Sequence, residues 1–80
     1  MLTSHGLLLK YLHDARFIFG DVTVWYVDRG APGDLSKAGG SDIRALEAHY
    51  FEIESATGMK RIPYHRIRKI AYKAEIVWER

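Results

Sequence analysis

The apolar residues near the amino-terminal end of the chain have the spacing of a helix. They recur every three or four positions, at Leu7, Leu8, Tyr11, Leu12 and Ala15. This period is typical of an amphipathic helix that packs one face on a core, and Ser4 is a residue type that caps such helices. The pattern predicts a helix over residues 4–14, with the face of Leu8, Leu12 and Ala15 and the flank of Leu7 and Tyr11 packed on the core.

Beyond residue 20 the apolar pattern becomes that of strands. Residues 22–28 are rich in β-branched and aromatic side chains on both faces, which predicts a central strand buried on both sides, Trp25 and Val27 included. Residues 29–40 hold four of the seven glycines and predict one long loop. Further strands are predicted at residues 43–46, 49–55, 66–72 and 75–79, with a turn at Pro63 and a tight hairpin turn at Lys73-Ala74.

This order of elements predicts an α+β fold in a single domain of residues 1–80. An N-terminal helix is followed by a four- to five-stranded antiparallel sheet, and a helix with a five-strand meander in 80 residues suits a small SH3-like or Sm-like barrel. A curved open sheet packed on the helix is the alternative.

Composition excludes several classes of protein. The chain has no cysteine, which rules out a disulfide scaffold, a thiolate zinc site and a cysteine nucleophile. Its longest apolar run is four residues, at 24–27, so no segment is expected to span a membrane or to act as a signal peptide. The protein is therefore expected to be cytoplasmic.

The histidines give no signature of a metal site or of a catalytic pair. His5, His13, His49 and His65 include no two at a four-residue spacing, and none is followed two positions later by a hydroxyl side chain, as a two-histidine phosphoesterase needs. No metal and no cofactor is expected. His65 alone remains a candidate general acid or base.

Positive charge is concentrated in one segment of the chain. The formal net charge is +2, yet residues 60–74 carry six basic residues and no acidic one, interleaved with Tyr64 and Tyr72. Such a segment is typical of a surface that binds polyanions, and a solvated strand face is an equally good explanation.

Two short segments carry the residue types of a phosphate site. Residues 28–34 read Asp-Arg-Gly-Ala-Pro-Gly-Asp, so a guanidinium lies beside a glycine-rich turn whose N–H groups can converge on an anion. Residues 62–67 read Ile-Pro-Tyr-His-Arg-Ile and present His65 next to a proline-fixed turn. The alternatives are a turn in which Arg29 pairs with Asp28 or Asp34, and a half-buried His65 that bonds a backbone carbonyl.

Together these segments resemble the archaeal RNA cyclic-group end-recognition domain family, a group of small proteins formerly without a described role. The resemblance covers most of the chain: the helix, the strand ending in Arg-Gly-Ala-Pro-Gly, the Ile-Pro-x-His-Arg-Ile motif and the final strand with Val77-Trp78. Members also occur fused to proteins of RNA repair and processing. The chain departs from the family at Lys73-Ala74, where a glycine is expected.

The resemblance implies an RNA-binding module that recognises a processed, single-stranded RNA end bearing a cyclic phosphate. Arg29 and His65 are expected to converge on one phosphate, with His65 also able to bind a ribose hydroxyl and with Tyr64 or Trp78 stacking a base. The expected RNA-binding residues are Arg29, Gly30, Pro32, Gly33, Tyr64, His65, Arg66, Arg68, Lys69 and Trp78. Partner proteins would be an RNA ligase or a phosphoesterase.

Two other functions remain open from the sequence. One is an RNA-processing phosphoesterase that uses His65, for which the sequence offers no second catalytic group. The other is a protein-interaction domain whose basic strand docks on an acidic partner.

Overall fold

The computed structural model describes residues 3–80, which form one helix and two antiparallel sheets. Helix α1 spans Ser4–His13. The strands that follow are β1 (Val22–Val27), β2 (Leu35–Gly39), β3 (Ile43–Leu46), β4 (Tyr50–Ser55), β5 (Gly58–Pro63), β6 (Ile67–Tyr72) and β7 (Glu75–Glu79). The sheets have the strand orders β2-β1-β6-β7 and β3-β4-β5. The predicted α+β class, with a helix before antiparallel strands, is confirmed.

The strands are more numerous than the sequence predicted, and those of residues 3–80 do not close into a barrel. Seven strands divide between a four-stranded and a three-stranded sheet. The two that the sequence analysis missed, β2 and β5, each bury one residue, Ala38 and Ile62 respectively. An edge strand with a single buried side chain lacks the alternation of apolar and polar residues by which strands are recognised.

Helix α1 begins at residue 4, as predicted, but its cap lies one residue earlier than expected and its buried face is shifted. The hydroxyl of Thr3, not that of Ser4, accepts the N–H of Gly6 at 2.9 Å and caps the helix. Leu7, Leu8 and Tyr11 are buried, as is Ser4, whereas Leu12 is 46% exposed. Ala15 is also exposed, because it lies beyond the end of the helix at His13. The predicted face is therefore wrong at Leu12 and Ala15, whereas Leu8 and the predicted flank of Leu7 and Tyr11 are buried as expected.

Strand β1 is central in its sheet but is buried on one side. It pairs with β2 and β6, as expected for a central strand. Val22, Val24 and Tyr26 are buried in a core shared with α1 and the second sheet. Trp25 and Val27, which alternate with them, are only half-buried, so the prediction of burial on both sides is wrong. Within residues 3–80, the helix and the second sheet contribute to the core on the Val22, Val24 and Tyr26 side of β1, so Trp25 and Val27 lie on the side that faces away from it.

The glycine-rich segment is a turn and a strand rather than one long loop. The N–H of Asp34 donates to the carbonyl of Ala31 at 2.8 Å, around Pro32 and Gly33. Gly33 has φ 67° and ψ 12°, which is the conformation that a type II turn requires after proline. The chain then reverses into β2, which pairs with β1 from Thr23↔Gly39 to Val27↔Leu35.

The other turns lie where the sequence places them. Pro63 ends the edge strand β5, where the missing N–H costs no ladder hydrogen bond, and a 3₁₀ turn follows at Tyr64–Arg66. Lys73-Ala74 joins β6 to β7 as a two-residue hairpin turn. No helix in the part of the chain that the structure describes has the length and apolar character needed to cross a membrane.

Candidate functional site

A polar pocket of about 220 Å³ lies where the end of β1 meets the turn before β6. Three guanidinium groups and one imidazole surround it, and its lining includes no acidic residue. The lining residues, which we call the arginine pocket, are Val27, Arg29, His65, Arg66 and Arg68. Converging guanidinium groups without a carboxylate have the chemistry of a site for an anion such as a phosphate.

The β1 side of this pocket is fixed by the turn that follows the strand. Ala31 donates its N–H to the carbonyl of Asp28 at 3.1 Å, with Gly30 at φ 95° in the position that needs a left-handed backbone. The Asp28 carboxylate accepts the Ser36 hydroxyl at 2.7 Å. Within residues 3–80 neither Asp28 nor Asp34 forms an ion pair with Arg29, whose exposed side chain reaches the pocket instead.

The glycines and proline of this turn do not themselves line the pocket. Gly30, Pro32 and Gly33 are exposed, and the structure gives them the role of shaping the turn that carries Arg29. Their expected direct contact with RNA therefore stays a prediction.

The β6 side of the arginine pocket is built by a short turn and a β-bulge. His65 and Arg66 belong to the 3₁₀ turn Tyr64–Arg66. The pairing register between β1 and β6 then shifts by one residue. Trp25 pairs with Lys69 while Tyr26 pairs with Ile67, so Arg68 is the extra residue on β6. Bulges bend a strand and redirect a side chain, and here the redirected side chain is that of Arg68.

Two arginines also hold the turn that carries His65. The Nη1 atoms of Arg80 and Arg68 donate to the carbonyl oxygen of His65 at 2.7 Å and 3.4 Å. His65 itself is exposed, so the half-buried histidine that the sequence left open is not what the structure shows.

A second, larger pocket of about 500 Å³ adjoins the first and has aromatic walls. It lies between the start of α1, the turn before β6 and the end of β7. Its lining, which we call the aromatic pocket, consists of Thr3, Ser4, His5, Tyr64, His65, Trp78, Glu79 and Arg80. His65 lines both pockets, so a ligand in one would meet a ligand in the other at this imidazole.

Tyr64 is part of the protein core and is not a free platform for a base. It is only 9% exposed, and its ring stacks on that of His5 with the centroids 4.2 Å apart. Its hydroxyl donates to the carbonyl of Glu47 at 2.7 Å. Burial raises the pKa of this phenol to about 12, with a smaller contribution from the charge of Glu47. Base stacking on Tyr64 is therefore not supported by its surroundings.

Trp78 is better placed to contact a ligand. It is half-buried, packs against the core on β7 and lines the aromatic pocket. The guanidinium carbon of Arg80 lies 5.7 Å from the centre of the Trp78 ring. Arginine and tryptophan at this separation attract each other and form a cationic, aromatic wall.

The basic segment 60–74 does not form a single face. Lys60 and Arg61 lie on β5 in the three-stranded sheet, whereas Arg66 and Arg68 line the arginine pocket. Lys69 belongs neither to the three-stranded sheet nor to the lining of the arginine pocket. Its Nζ atom lies 4.6 Å from the ring centre of Trp25, on the outer side of the four-stranded sheet.

Arg29 and His65 both line the arginine pocket, although 36 positions separate them. Their expected convergence on one phosphate stays a prediction. Sequence reasoning missed Val27 in the arginine pocket, and it missed five lining residues of the aromatic pocket: Thr3, Ser4, His5, Glu79 and Arg80. Nothing in the sequence signalled Arg80 except its place directly after the last strand. No three histidine, cysteine, aspartate or glutamate side chains within residues 3–80 are grouped so that they could hold a metal ion.

Comparison with known proteins places the chain in a family. Residues 1–80 match the model of the MJ1316 RNA cyclic group end recognition domain. A protein from Archaeoglobus fulgidus named "UPF0248 protein" is 34% identical over 71 residues, which cover 89% of this chain and 96% of that protein. No solved structure matches the chain. The match along the whole chain and the similarity to the archaeal protein show that this chain belongs to the RNA cyclic group end recognition domain family.

Proposed function

We propose that this protein is a binding module for a processed RNA end that carries a 2′,3′-cyclic phosphate. The arginine pocket holds the phosphate, and the aromatic pocket holds the terminal nucleoside. The observation that carries the proposal is that His65 lines both pockets, because an RNA end presents a phosphate and a nucleoside joined at the ribose. The family's name, which describes recognition of a cyclic group at an RNA end, supports the same assignment.

The residues of the arginine pocket suit the proposed phosphate. Arg29, Arg66 and Arg68 approach from the two sides of the pocket that β1 and β6 supply. A guanidinium can donate two parallel hydrogen bonds to the two non-bridging oxygens of a cyclic phosphate. His65 donates a hydrogen bond to the phosphate when it is protonated, and accepts one from a ribose hydroxyl when it is neutral.

The aromatic pocket suits a nucleoside. Its volume of about 500 Å³ falls within the usual size of small-molecule sites. Trp78 offers an aromatic ring on which a base can stack, which is how most proteins recognise unpaired RNA bases. Recognition of a nucleoside and a phosphate by adjoining pockets distinguishes an RNA end from an internal phosphate.

Binding is favoured over hydrolysis by the residues that line the arginine pocket. Within the described part of the chain, the lining of the arginine pocket offers His65 as its one candidate for proton transfer and holds no carboxylate. Opening a cyclic phosphate by acid–base catalysis needs a base and an acid together. We therefore propose that chemistry on the bound end is carried out by a partner, an RNA ligase or a phosphoesterase.

The test uses RNAs that are identical except at the 3′ end, which is a hydroxyl, a phosphate or a 2′,3′-cyclic phosphate. The wild-type protein is expected to bind the cyclic end most tightly. Arg29→Ala and His65→Ala should each weaken that binding by about 1.5–3 kcal/mol, as expected for hydrogen bonds to a charged group. Both side chains are exposed, so the thermal midpoint should move little.

Arg61→Ala is the matched control, because it removes an exposed arginine from the three-stranded sheet. It should leave the affinity unchanged. Equal affinity of the wild-type protein for all three ends would refute the proposal, and recovery of the cyclic RNA with its ring opened would instead favour the phosphoesterase.

A further inference from the structure

The outer side of the four-stranded sheet, which faces away from the core, carries a tryptophan between two lysines. Trp25 on β1 pairs directly with Lys37 on β2 and with Lys69 on β6. The Nζ atom of Lys69 lies 4.6 Å from the centre of the indole ring, which places both side chains on this outer side. We call Trp25, Lys37 and Lys69 the Trp25 face.

This face is apolar as well as basic, and it is not covered by the rest of the described chain. Trp25 is half-buried even though its strand is central. Along the same side of the sheet, Val27 pairs with Leu35, which is 44% exposed. A partly exposed aromatic ring flanked by cations suits the binding of single-stranded nucleic acid, since bases can stack on the ring while phosphates contact the cations.

The Trp25 face is continuous with the arginine pocket. Val27 lies on the same side of β1 as Trp25, two residues further on, and it also lines the pocket. Two residues of a strand span about 7 Å. An RNA strand that leaves the arginine pocket along β1 therefore meets the Trp25 ring directly after Val27.

We propose that the Trp25 face binds the nucleotides that precede the RNA end, so that the substrate is an end with a single-stranded tail. One base stacks on Trp25, and the Lys69 ammonium moves from the ring to a neighbouring phosphate while Lys37 contacts the backbone from the other side. A base-paired end keeps its bases stacked within the duplex and cannot make this contact. This inference rests on the proposed function, since it places the tail of the RNA whose end occupies the two pockets.

The experiment compares adenosine 2′,3′-cyclic monophosphate with adenylate oligonucleotides of two, four and six residues that carry the same cyclic end. The wild-type protein is expected to bind the oligonucleotides more tightly than the mononucleotide. Trp25→Ala should reduce that gain by at least about fivefold, the lower range of the effect of removing one stacked base. It should leave the affinity for the mononucleotide unchanged, because the mononucleotide does not reach this face.

Tyr50→Ala is the matched control. Tyr50 is half-buried on β4 of the other sheet, and the Arg61 guanidinium carbon lies 5.2 Å from its ring centre, so the variant removes the same kind of aromatic–cation pair. It should keep the full gain with length. A second variant, Lys37→Glu, changes an exposed side chain without removing packed atoms, and it should also reduce the gain.

The outcomes separate this inference from the proposed function. If wild-type protein binds the mononucleotide and the oligonucleotides equally, or if Trp25→Ala and Lys37→Glu both keep the gain, the Trp25 face does not bind the tail. The proposed function still stands in that case, provided that Arg29→Ala weakens binding of the mononucleotide. If Trp25→Ala lowers the thermal midpoint so far that it is unfolded, Lys37→Glu alone decides. A mononucleotide affinity that does not respond to Arg29→Ala overturns the proposed function itself.

Discussion

The hydroxyl of Tyr64 links the turn that carries His65 to the connection between β3 and β4. It donates to the Glu47 carbonyl at 2.7 Å, and the backbone N–H of Tyr64 donates to the His49 carbonyl at 3.4 Å. A motif residue that looks like a ligand contact in the sequence is thus a structural anchor, which holds the pocket residues His65 and Arg66 in place from behind.

Replacing Tyr64 by phenylalanine tests this anchor through the pH dependence of stability. The free energy of unfolding of the variant at neutral pH should be lower by about 1 kcal/mol, the usual net contribution of one hydrogen bond. The pKa of this phenol rises from 10.0 to about 12 on folding. Between these two pH values the Tyr64 phenol therefore keeps its proton in the folded state and loses it in the unfolded state. The contribution of Tyr64 is therefore complete below pH 10 and is lost as the pH rises from 10 to 12.

The measurement is urea unfolding of both proteins at several pH values from 8 to 11.5. The difference in free energy of unfolding between wild type and Tyr64→Phe should shrink above pH 10, and Tyr50→Phe on the outer side of β4 controls for loss of a phenol elsewhere. A difference that stays constant across this range would show that the Tyr64 phenol ionises alike in the folded and unfolded chain.

At the scale of elements, the β6–β7 hairpin forms without the glycine that its turn favours. Lys73 and Ala74 have φ values of 50° and 68°, so both occupy the left-handed region. Two-residue hairpins with both central residues in this region strongly prefer Asn-Gly, because other side chains are strained there. Pairing of Tyr72 with Glu75 and of Ile70 with Trp78 maintains the turn against this strain.

The double substitution Lys73→Asn and Ala74→Gly should therefore stabilise the protein. Relief of the strain is expected to raise the free energy of unfolding by about 1 kcal/mol, and the thermal midpoint by about 4–8 °C for a domain of this size. Ala56→Gly, in the turn between β4 and β5, is the control and should lower the thermal midpoint. Ala56 does not have positive φ, so glycine there relieves no strain and only adds conformational freedom to the unfolded chain. A midpoint that falls in the hairpin variant would contradict the strain.

The elements that the sequence predicted are those with a strong apolar pattern. The β4 residues Phe51 and Ile53 are buried, as their alternation predicts, and β3 has the predicted bounds Ile43–Leu46. Strands β2 and β5 were missed because each owes its place to pairing with a neighbouring strand rather than to buried side chains of its own. The half-exposed Trp25 could not be predicted either, since composition does not reveal which side of a sheet is covered.

At the scale of the whole molecule, the candidate site is assembled from distant parts of the chain. Arg29 and the motif around His65 could be selected from the sequence because arginine, glycine, proline and histidine mark phosphate-binding turns. The contributions of Arg68 and Arg80 could not, because the first depends on a β-bulge and the second on where β7 ends. Folding also divides the basic segment, which is continuous in the sequence, between two sheets.

This division makes a prediction about the salt dependence of RNA binding. The logarithm of the affinity for single-stranded RNA should fall with the logarithm of the salt concentration, with a slope of about −0.7 for each phosphate that the protein neutralises.

Arg66→Ala removes a cation of the arginine pocket and should make the slope shallower by about 0.7. Lys60→Ala removes a cation of the same basic segment, but from β5 in the other sheet, and should leave the slope unchanged. Fluorescence titrations of a cyclic-phosphate-ended oligonucleotide at salt concentrations between about 50 and 200 mM measure both slopes. Equal changes in the two variants would mean that RNA contacts the basic segment along its whole length, and that the arginine pocket is not where the phosphate is held.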